Sequence, residues 1–399
     1  VRILVCLLCL LFTAAASAHD WSQFRGPRGA SYSAQASLPA DDSIADAVAW
    51  KKQLPGRAVS GPIVVRNRVI ATASDGPKDE QLYVVCHDAD TGEQLWQRKF
   101  WATGRTLHHP TSATAAPTPV SDGEHVFAFF SSNDLICLDL DGNLQWLRGL
   151  TADHPAAYND TGMASSPLVS GDTVVVQVEC FGDSFAAGLN KQTGETRWRI
   201  PRAATANWAS PLLLNRPKGD LVLLQSSDRL SAHEPHTGKE VWSYLAKCDT
   251  IPSLTSVGDV LFLPAGGITA LRVDGHSQPT LYWKENRLAP SNASPVVVGE
   301  RLYVINGAGV LVCGDAQTGD VKWQARLTGS FWATPVVAGS HLYAVNQDGL
   351  LQIVRLPESE GKGEVVARYE LGEGAFGSPA IGDGAMFVQS ERHLWKIAK

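Results

Sequence analysis

The chain is 399 residues long, carries 40 Asp and Glu against 34 Lys and Arg for a net charge of −6, and contains 36 Gly and 22 Pro. A mildly acidic chain without a Lys/Arg run excludes nucleic acid as an expected partner, and a 44% hydrophobic composition excludes a disordered polymer. Only 19% of residues are charged, and the Gly and Pro load suits many short strands joined by tight turns.

Residues 1–18 read as a signal peptide. Arg2 is followed by the apolar run ILVCLLCLLFTAAA, and Ala16-Ser17-Ala18 fits the small-x-small rule, so cleavage is expected after Ala18. The expected location is therefore periplasmic or secreted, with no membrane span left after cleavage; retention of the segment as an anchor is the alternative. No cysteine follows the small residues, which speaks against a lipid anchor. Residues 19–44, opening DWSQFRGPRGASYS, form an N-terminal segment. Its Trp21, Phe24 and Arg25 either pack beneath the fold or reach for a partner.

From residue 45 to 399 the chain repeats itself. HDADTGEQLW, NKQTGETRW, HEPHTGKEVW and GDAQTGDVKW end at Trp96, Trp198, Trp242 and Trp323; weaker versions end at Trp146 and Trp283. A period of roughly 40–50 residues carrying one Trp and one turn is the signature of a β-propeller, one blade per repeat. Each unit opens on a segment such as TPVSDG or ASPVVVG, passes through an alternating apolar strand such as HVFAFF or RLYVIN, and closes on the Asp/Asn-x-x-Thr-Gly turn and the Trp strand. The expected fold is all-β: an eight-bladed propeller of four-stranded antiparallel blades starting near Gly61, Ala115, Ser165, Ala209, Pro252, Ala293, Ala333 and Gly377.

The seventh unit lacks the Trp, with Tyr369 expected in its place, and the eighth supplies only three strands. VAWKKQL, with Trp50, has the look of an outer strand, so the N-terminal strand is expected to close the ring and remove the open edge. Trp50, Trp96, Trp146, Trp198, Trp242, Trp283 and Trp323 are assigned a structural role, docking across the neighbouring blade over a small Ala, Cys or Gly position. Cys86, Cys137 and Cys313 share that small position with Gly188, Ala232 and Ala270, which points to core packing. No CxxC or CxxxH spacing supports a metal site, and none is predicted.

The Ala-x-Asp-x-x-Thr-Gly-x-x-x-Trp pattern resembles the tryptophan-docking motif of the PQQ-like eight-bladed propellers. That group includes pyrroloquinoline quinone (PQQ) dehydrogenases and the assembly factor BamB, and the opening DWSQFRGPRGASYS looks like the start of its secreted bacterial subgroup. The resemblance implies one of two things: a non-catalytic scaffold that engages another protein through its blade loops, or a PQQ-dependent dehydrogenase holding the quinone over calcium. The sequence has no Cys-Cys pair and no recognisable Glu/Asn/Asp calcium set, so no cofactor is predicted and PQQ with calcium is the alternative.

Ligands of a propeller bind where the first strands converge at the channel mouth. The residues three before each inner-strand proline, or its equivalent, are Val59, Ala116, Ala164, Trp208, Ile251, Asn292, Trp332 and Phe376. Trp208, Asn292, Trp332 and Phe376 are the ligand-binding candidates; the rings either offer a stacking platform for a quinone or sugar, or simply fill the channel. The loops Leu107-His108-His109-Pro110 and Asp153-His154-Pro155 supply rim candidates His109, His154, Tyr158 and Asp160. No catalytic residue is identified. The reading taken forward is an exported, non-catalytic binding scaffold. Its expected state is a monomer and its expected partner another extracytoplasmic protein or a glycan; the alternatives are a quinoprotein dehydrogenase and a carbohydrate-binding or carbohydrate-active propeller.

Overall fold

The computed structural model describes residues 20–399 except Asn159 and Ser359, so the predicted signal peptide lies outside the described residues. Eight antiparallel sheets follow one another along the chain. Blade 1 is built from Ile63–Val65, Arg68–Asp75, Gln81–Asp88 and Gln94–Trp101, each pairing with the next. The pattern repeats to blade 7, built from Val336–Ala338, His341–Val345, Leu350–Arg355 and Glu364–Glu370. Blade 8 has Ala380–Gly382, Ala385–Gln389 and His393–Ile397, and its outer strand is Val48–Gln53, antiparallel to His393–Ile397. The ring is thus closed by the N-terminal strand, as VAWKKQL predicts.

Burial follows position in the blade. The middle strands are covered on both sides and read as near-continuous apolar runs; Arg68–Asp75 is exposed only at its last residue. In the outer strands of six blades, 1–4, 6 and 8, one position is buried, and it is the tryptophan: Trp96, Trp146, Trp198, Trp242, Trp323 and Trp50. Within a blade, the cross-strand partner of the Trp is the small residue. Cys86 faces Trp96, Cys137 faces Trp146, Gly188 faces Trp198, Ala232 faces Trp242, Ala270 faces Trp283 and Cys313 faces Trp323. The small position therefore belongs to the same blade, and the contact with the neighbouring blade is made to its turn glycine. A β-carbon added at Gly92, Gly142, Gly194, Gly238, Gly319 or Gly363 would sit 2.5–2.8 Å from the indole of the preceding blade. Five indoles also donate to a carbonyl of the next blade's turn, from Trp50 to Ala89 and on through Trp96, Trp146, Trp198 and Trp283.

Two blades depart from the repeat, and each shows why. In blade 7 the position next to the bulge that the Trp takes elsewhere is held by Ala367, which pairs with Ile353, while Tyr369 lies two residues further on and pairs with Leu351. The large and small residues have exchanged strands, which keeps the layer filled. Blade 5 has the degenerate turn VDGHSQ, and the indole N–H of Trp242, which would dock on it, is buried without an acceptor. All five cysteines among the described residues are buried and unpaired. Burial pushes the thiols of Cys86, Cys137, Cys248 and Cys313 up to about 12, which makes them inert packing groups at neutral pH. Among the described residues no helix is long and apolar enough to cross a membrane.

Residues 20–44 pack under the ring. Trp21 is 2% exposed and exchanges backbone hydrogen bonds with Val64 of blade 1. Arg25 reaches Leu254 of blade 5, and Tyr32–Ser33 adds a parallel strand to the inner edge of blade 7. Leu38 and Ile44 are buried, and Tyr343 donates to the carbonyl of Pro39. The segment so crosses the end of the channel that carries the Asp-x-x-Thr-Gly turns.

Candidate functional site

In seven blades the innermost strand begins with a hydroxyl residue, before proline in six of them and before Leu254 in blade 5, and those hydroxyls knit the blades into a girdle. The backbone N–H of Gly61 donates to Thr118 Oγ1, that of Thr118 to Ser166 Oγ, and that of Ser166 to Ser210 Oγ. The pattern continues from Ser210 to Ser253, Ser253 to Ser294, Ser294 to Thr334 and Thr334 to Ser378, at 2.9–3.1 Å. Each bond satisfies a buried backbone donor that the short inner strand leaves without a partner, worth about 1 kcal/mol net. At the closing junction Gly61 has no hydroxyl to offer. There the backbones of Gly61 and Gly377 press directly against Ser378 and Ser60, and Gln389 donates to Ser60 and Thr72 instead.

Above the girdle lies a cavity of about 290 Å³. All eight mouth positions line it: Val59, Ala116, Ala164, Trp208, Ile251, Asn292, Trp332 and Phe376. Its floor is closed by Phe24, which the N-terminal segment inserts from below. Trp208, Trp332, Phe376 and Phe24 are all partly exposed, so their faces are available within the cavity. The Trp208 ring is oriented by an indole N–H bond of 2.7 Å to the carbonyl of Gly162.

The predicted rim residues divide. His109 lines the cavity, its backbone bonded to Thr161 and its Nδ1 accepting from the Thr111 N–H. His154, Tyr158 and Asp160 lie off the cavity. His154 pairs with Asp183 at 3.2 Å and packs at a tilt against Phe185, while Tyr158 and Asp160 are both taken up by Arg105. Arg57, the cation beside the mouth, is also committed. It donates to Glu391 Oε1 and to the carbonyls of Pro110 and Ser112, with its guanidinium 5.9 Å from the Phe376 ring. Phe24, the girdle hydroxyls and Arg57 are the site residues that sequence reasoning did not assign. The Ser/Thr-Pro repeat carried a signal for the girdle; nothing local marks Phe24, which reaches the channel from outside the repeat.

A second contact fixes the loop that carries His109. His108 Nε2 lies 3.1 Å from Asp79 Oδ2, and Asp79 also accepts from the Thr114 N–H and Ser74 hydroxyl. The bond to Asp79 raises the His108 imidazolium above its ordinary 6.5 despite burial. Burial pushes Asp79 up, but His108, Thr114 and Ser74 outweigh it and leave the carboxyl below 3.8. The sign follows for each partner. Stability from His108 is full below pH 6.5 and is lost as pH rises through its raised value. That from Asp79 is full above pH 3.8 and is lost as pH falls through its lowered value. The pair therefore holds the loop best between these limits. An NMR titration of His108 will give a value above 6.5, and Asp79→Asn will bring it down; an unshifted titration in wild type refutes the contact.

Among the described residues, no Asp, Glu, Lys or Arg side chain lines the cavity. Calcium requires six to eight oxygen ligands, carboxylates among them, and PQQ is a tricarboxylate that requires cations. Neutral hydroxyls, most of them engaged in the girdle, one amide and one imidazole match neither requirement. Among the described residues no three His, Cys, Asp or Glu side chains gather into a metal-binding group.

The comparisons with known proteins agree on the architecture. BamB from Moraxella catarrhalis superposes with a TM-score of 0.64 at 17% identity, covering 88% of this chain and 97% of its own. A europium-containing methanol dehydrogenase gives 0.71 at 13% identity, covering 96% and 98%. The quinohemoprotein alcohol dehydrogenase from Comamonas testosteroni gives 0.69 at 13% identity, covering 96% and 81%. BamB and the dehydrogenases thus share this fold, with the dehydrogenases superposing somewhat better, and at such identities the likeness speaks for fold alone. No curated protein sequence matches. Residues 25–159, 83–264 and 266–362 match the PQQ_2 family, described as outer membrane protein assembly factor BamB, and with that span the chain belongs to this family of eight-bladed propellers.

Proposed function

We propose that the chain is an extracytoplasmic binding module whose channel cavity takes a flat, uncharged ring, a sugar or an aromatic group. The observation that supports it is the cavity lining: three aromatic side chains from the mouth and one from the floor, an amide and a histidine, and, among the described residues, no Asp, Glu, Lys or Arg side chain. Such a lining rewards stacking and neutral hydrogen bonding and penalises desolvating a charge. A free ring and a ring carried by a larger glycan or protein partner docking on the loop face both fit this chemistry, which is how the scaffold reading and the channel site meet. The extracytoplasmic location rests on the signal-like residues 1–18 and on kinship with the BamB family.

A second reading, a PQQ-dependent dehydrogenase, is favoured by the whole-chain likeness to methanol dehydrogenase. One experiment separates the two. The protein is titrated, following tryptophan fluorescence, with neutral mono- and oligosaccharides, with indole, and with PQQ plus calcium; dye reduction is assayed across alcohols. Saturable binding of a neutral ring, weakened roughly tenfold or more by Trp332→Ala or Trp208→Ala, supports the proposal. Dye-reducing turnover dependent on PQQ and calcium overturns it in favour of the dehydrogenase.

A further inference from the structure

Arg25 is a buried cation without a counter-charge. It is 2% exposed, yet only Nη2 has a hydrogen-bond partner, the carbonyl of Leu254 at 2.8 Å; Nε and Nη1 are buried with none, and the guanidinium also lies over the Phe24 ring, 5.1 Å away. Among the described residues no carboxylate pairs with it. Its backbone is held at φ 63°, a left-handed value that an arginine adopts only when its surroundings impose it. The surroundings do: Ser31 N–H closes onto the Arg25 carbonyl, and Gly26 and Gly29, both at positive φ, press against Trp21 and Leu212. The DWSQFRGPRG turn is built around the guanidinium and directs it under the ring.

What it meets there is a small void, about 10 Å³, lined by Gln23, Arg25, Ser166, Ser210, Leu168 and Leu212. That is room for one small species and nothing as large as sulfate or phosphate. Ser166 and Ser210 are girdle residues, and each Oγ accepts one backbone N–H, leaving its hydroxyl hydrogen to donate. The void therefore brings together donors from a guanidinium and two hydroxyls and, among the described residues, no anionic acceptor. It lies directly below the channel cavity, separated from it by the Phe24 ring that borders both.

We propose that this void is a binding site for a single small monovalent anion of chloride size, held by Arg25 with Ser166 and Ser210. The anion neutralises the buried guanidinium and fastens the N-terminal segment to blades 3 and 4. It thereby sets the position of Phe24 and the depth of the channel cavity. Burial pulls the Arg25 guanidinium down to about 10, and an adjacent anion restores its preference for the charged form.

The test uses the full mature chain. Melting curves are recorded in sodium chloride and in sodium gluconate at equal ionic strength, and crystals are grown in sodium bromide for anomalous diffraction. The expected result is a melting temperature about 2 °C or more higher in chloride, rising with its concentration as a bound ligand requires. A bromide peak is expected between the Arg25 guanidinium and the two serine hydroxyls. Arg25→Met abolishes the chloride dependence. Identical melting in the two salts with no bromide peak at Arg25 overturns the proposal and leaves the void to water. So does a chloride dependence that survives in Arg25→Met. If that variant fails to fold, the wild-type salt series and the bromide map still decide.

Discussion

Trp198→Ala will destabilise the fold by about 3–5 kcal/mol, the cost of emptying a well-packed aromatic site. The indole touches two glycines at once: Gly188 across the strand pair of its own blade, and Gly238 in the turn of the next. It also donates to the carbonyl of Pro235 at 2.9 Å and is only 8% exposed. Removing it leaves a cavity between blades 3 and 4 and strips that turn of its partner. The converse substitution, Gly188→Ala, places a methyl inside the indole and is expected to cost a comparable amount through overpacking. The double variant is the sharper test. With the indole gone, the methyl at 188 fills part of the space, so Gly188→Ala in the Trp198→Ala background should be near neutral. Strict additivity in chemical unfolding would show that the two residues are not packed as described. No ligand effect is expected, since neither residue reaches the channel cavity.

The architecture was legible because the repeat wrote it several times. Trp and turn glycine lie at fixed spacing, so even where single copies fail, as in VDGHSQ, the neighbours supply the register. The eight mouth positions were legible for the same reason: counting back from each proline selects residues at equal depth in the ring, and all eight line one cavity. Errors arose where the repeat breaks. Tyr369 looked like the Trp substitute because it is aromatic, but the bulge between Ile353 and Val354 sets the register so that Ala367, opposite Ile353, takes the Trp position and Tyr369 faces Leu351. His154, Tyr158 and Asp160 sat in a loop resembling the His109 loop, yet their partners are Asp183, Phe185 and Arg105 rather than the channel. The floor was illegible altogether. Whether Phe24 faces solvent or the channel depends on contacts with Val64, Leu254 and Val337, residues far along the chain that no local pattern connects to it.

That dependence makes the N-terminal region the place where fold and site can be separated, and a pair of truncations should do so. Removing everything before residue 45 keeps Val48–Gln53 as the outer strand of blade 8, so the ring still closes. The protein is expected to fold with a lowered melting temperature, because Trp21, Leu38 and Ile44 no longer cover blades 1, 7 and 8. It should also lose channel-ligand affinity, since the Phe24 floor is gone. Removing everything before residue 54 takes away the closing strand as well. His393–Ile397 then becomes an open edge with unpaired backbone groups, and Trp50 no longer docks on Gly92. The expected outcome is aggregation or a loss of cooperative unfolding, a far larger effect than that of the shorter cut. Circular dichroism melts and size-exclusion chromatography of the two variants check this directly. Equal stability of both would mean that the ring does not depend on its N-terminal strand. A shorter truncation that still binds ligand with full affinity would mean that Phe24 closes the channel without contributing to recognition.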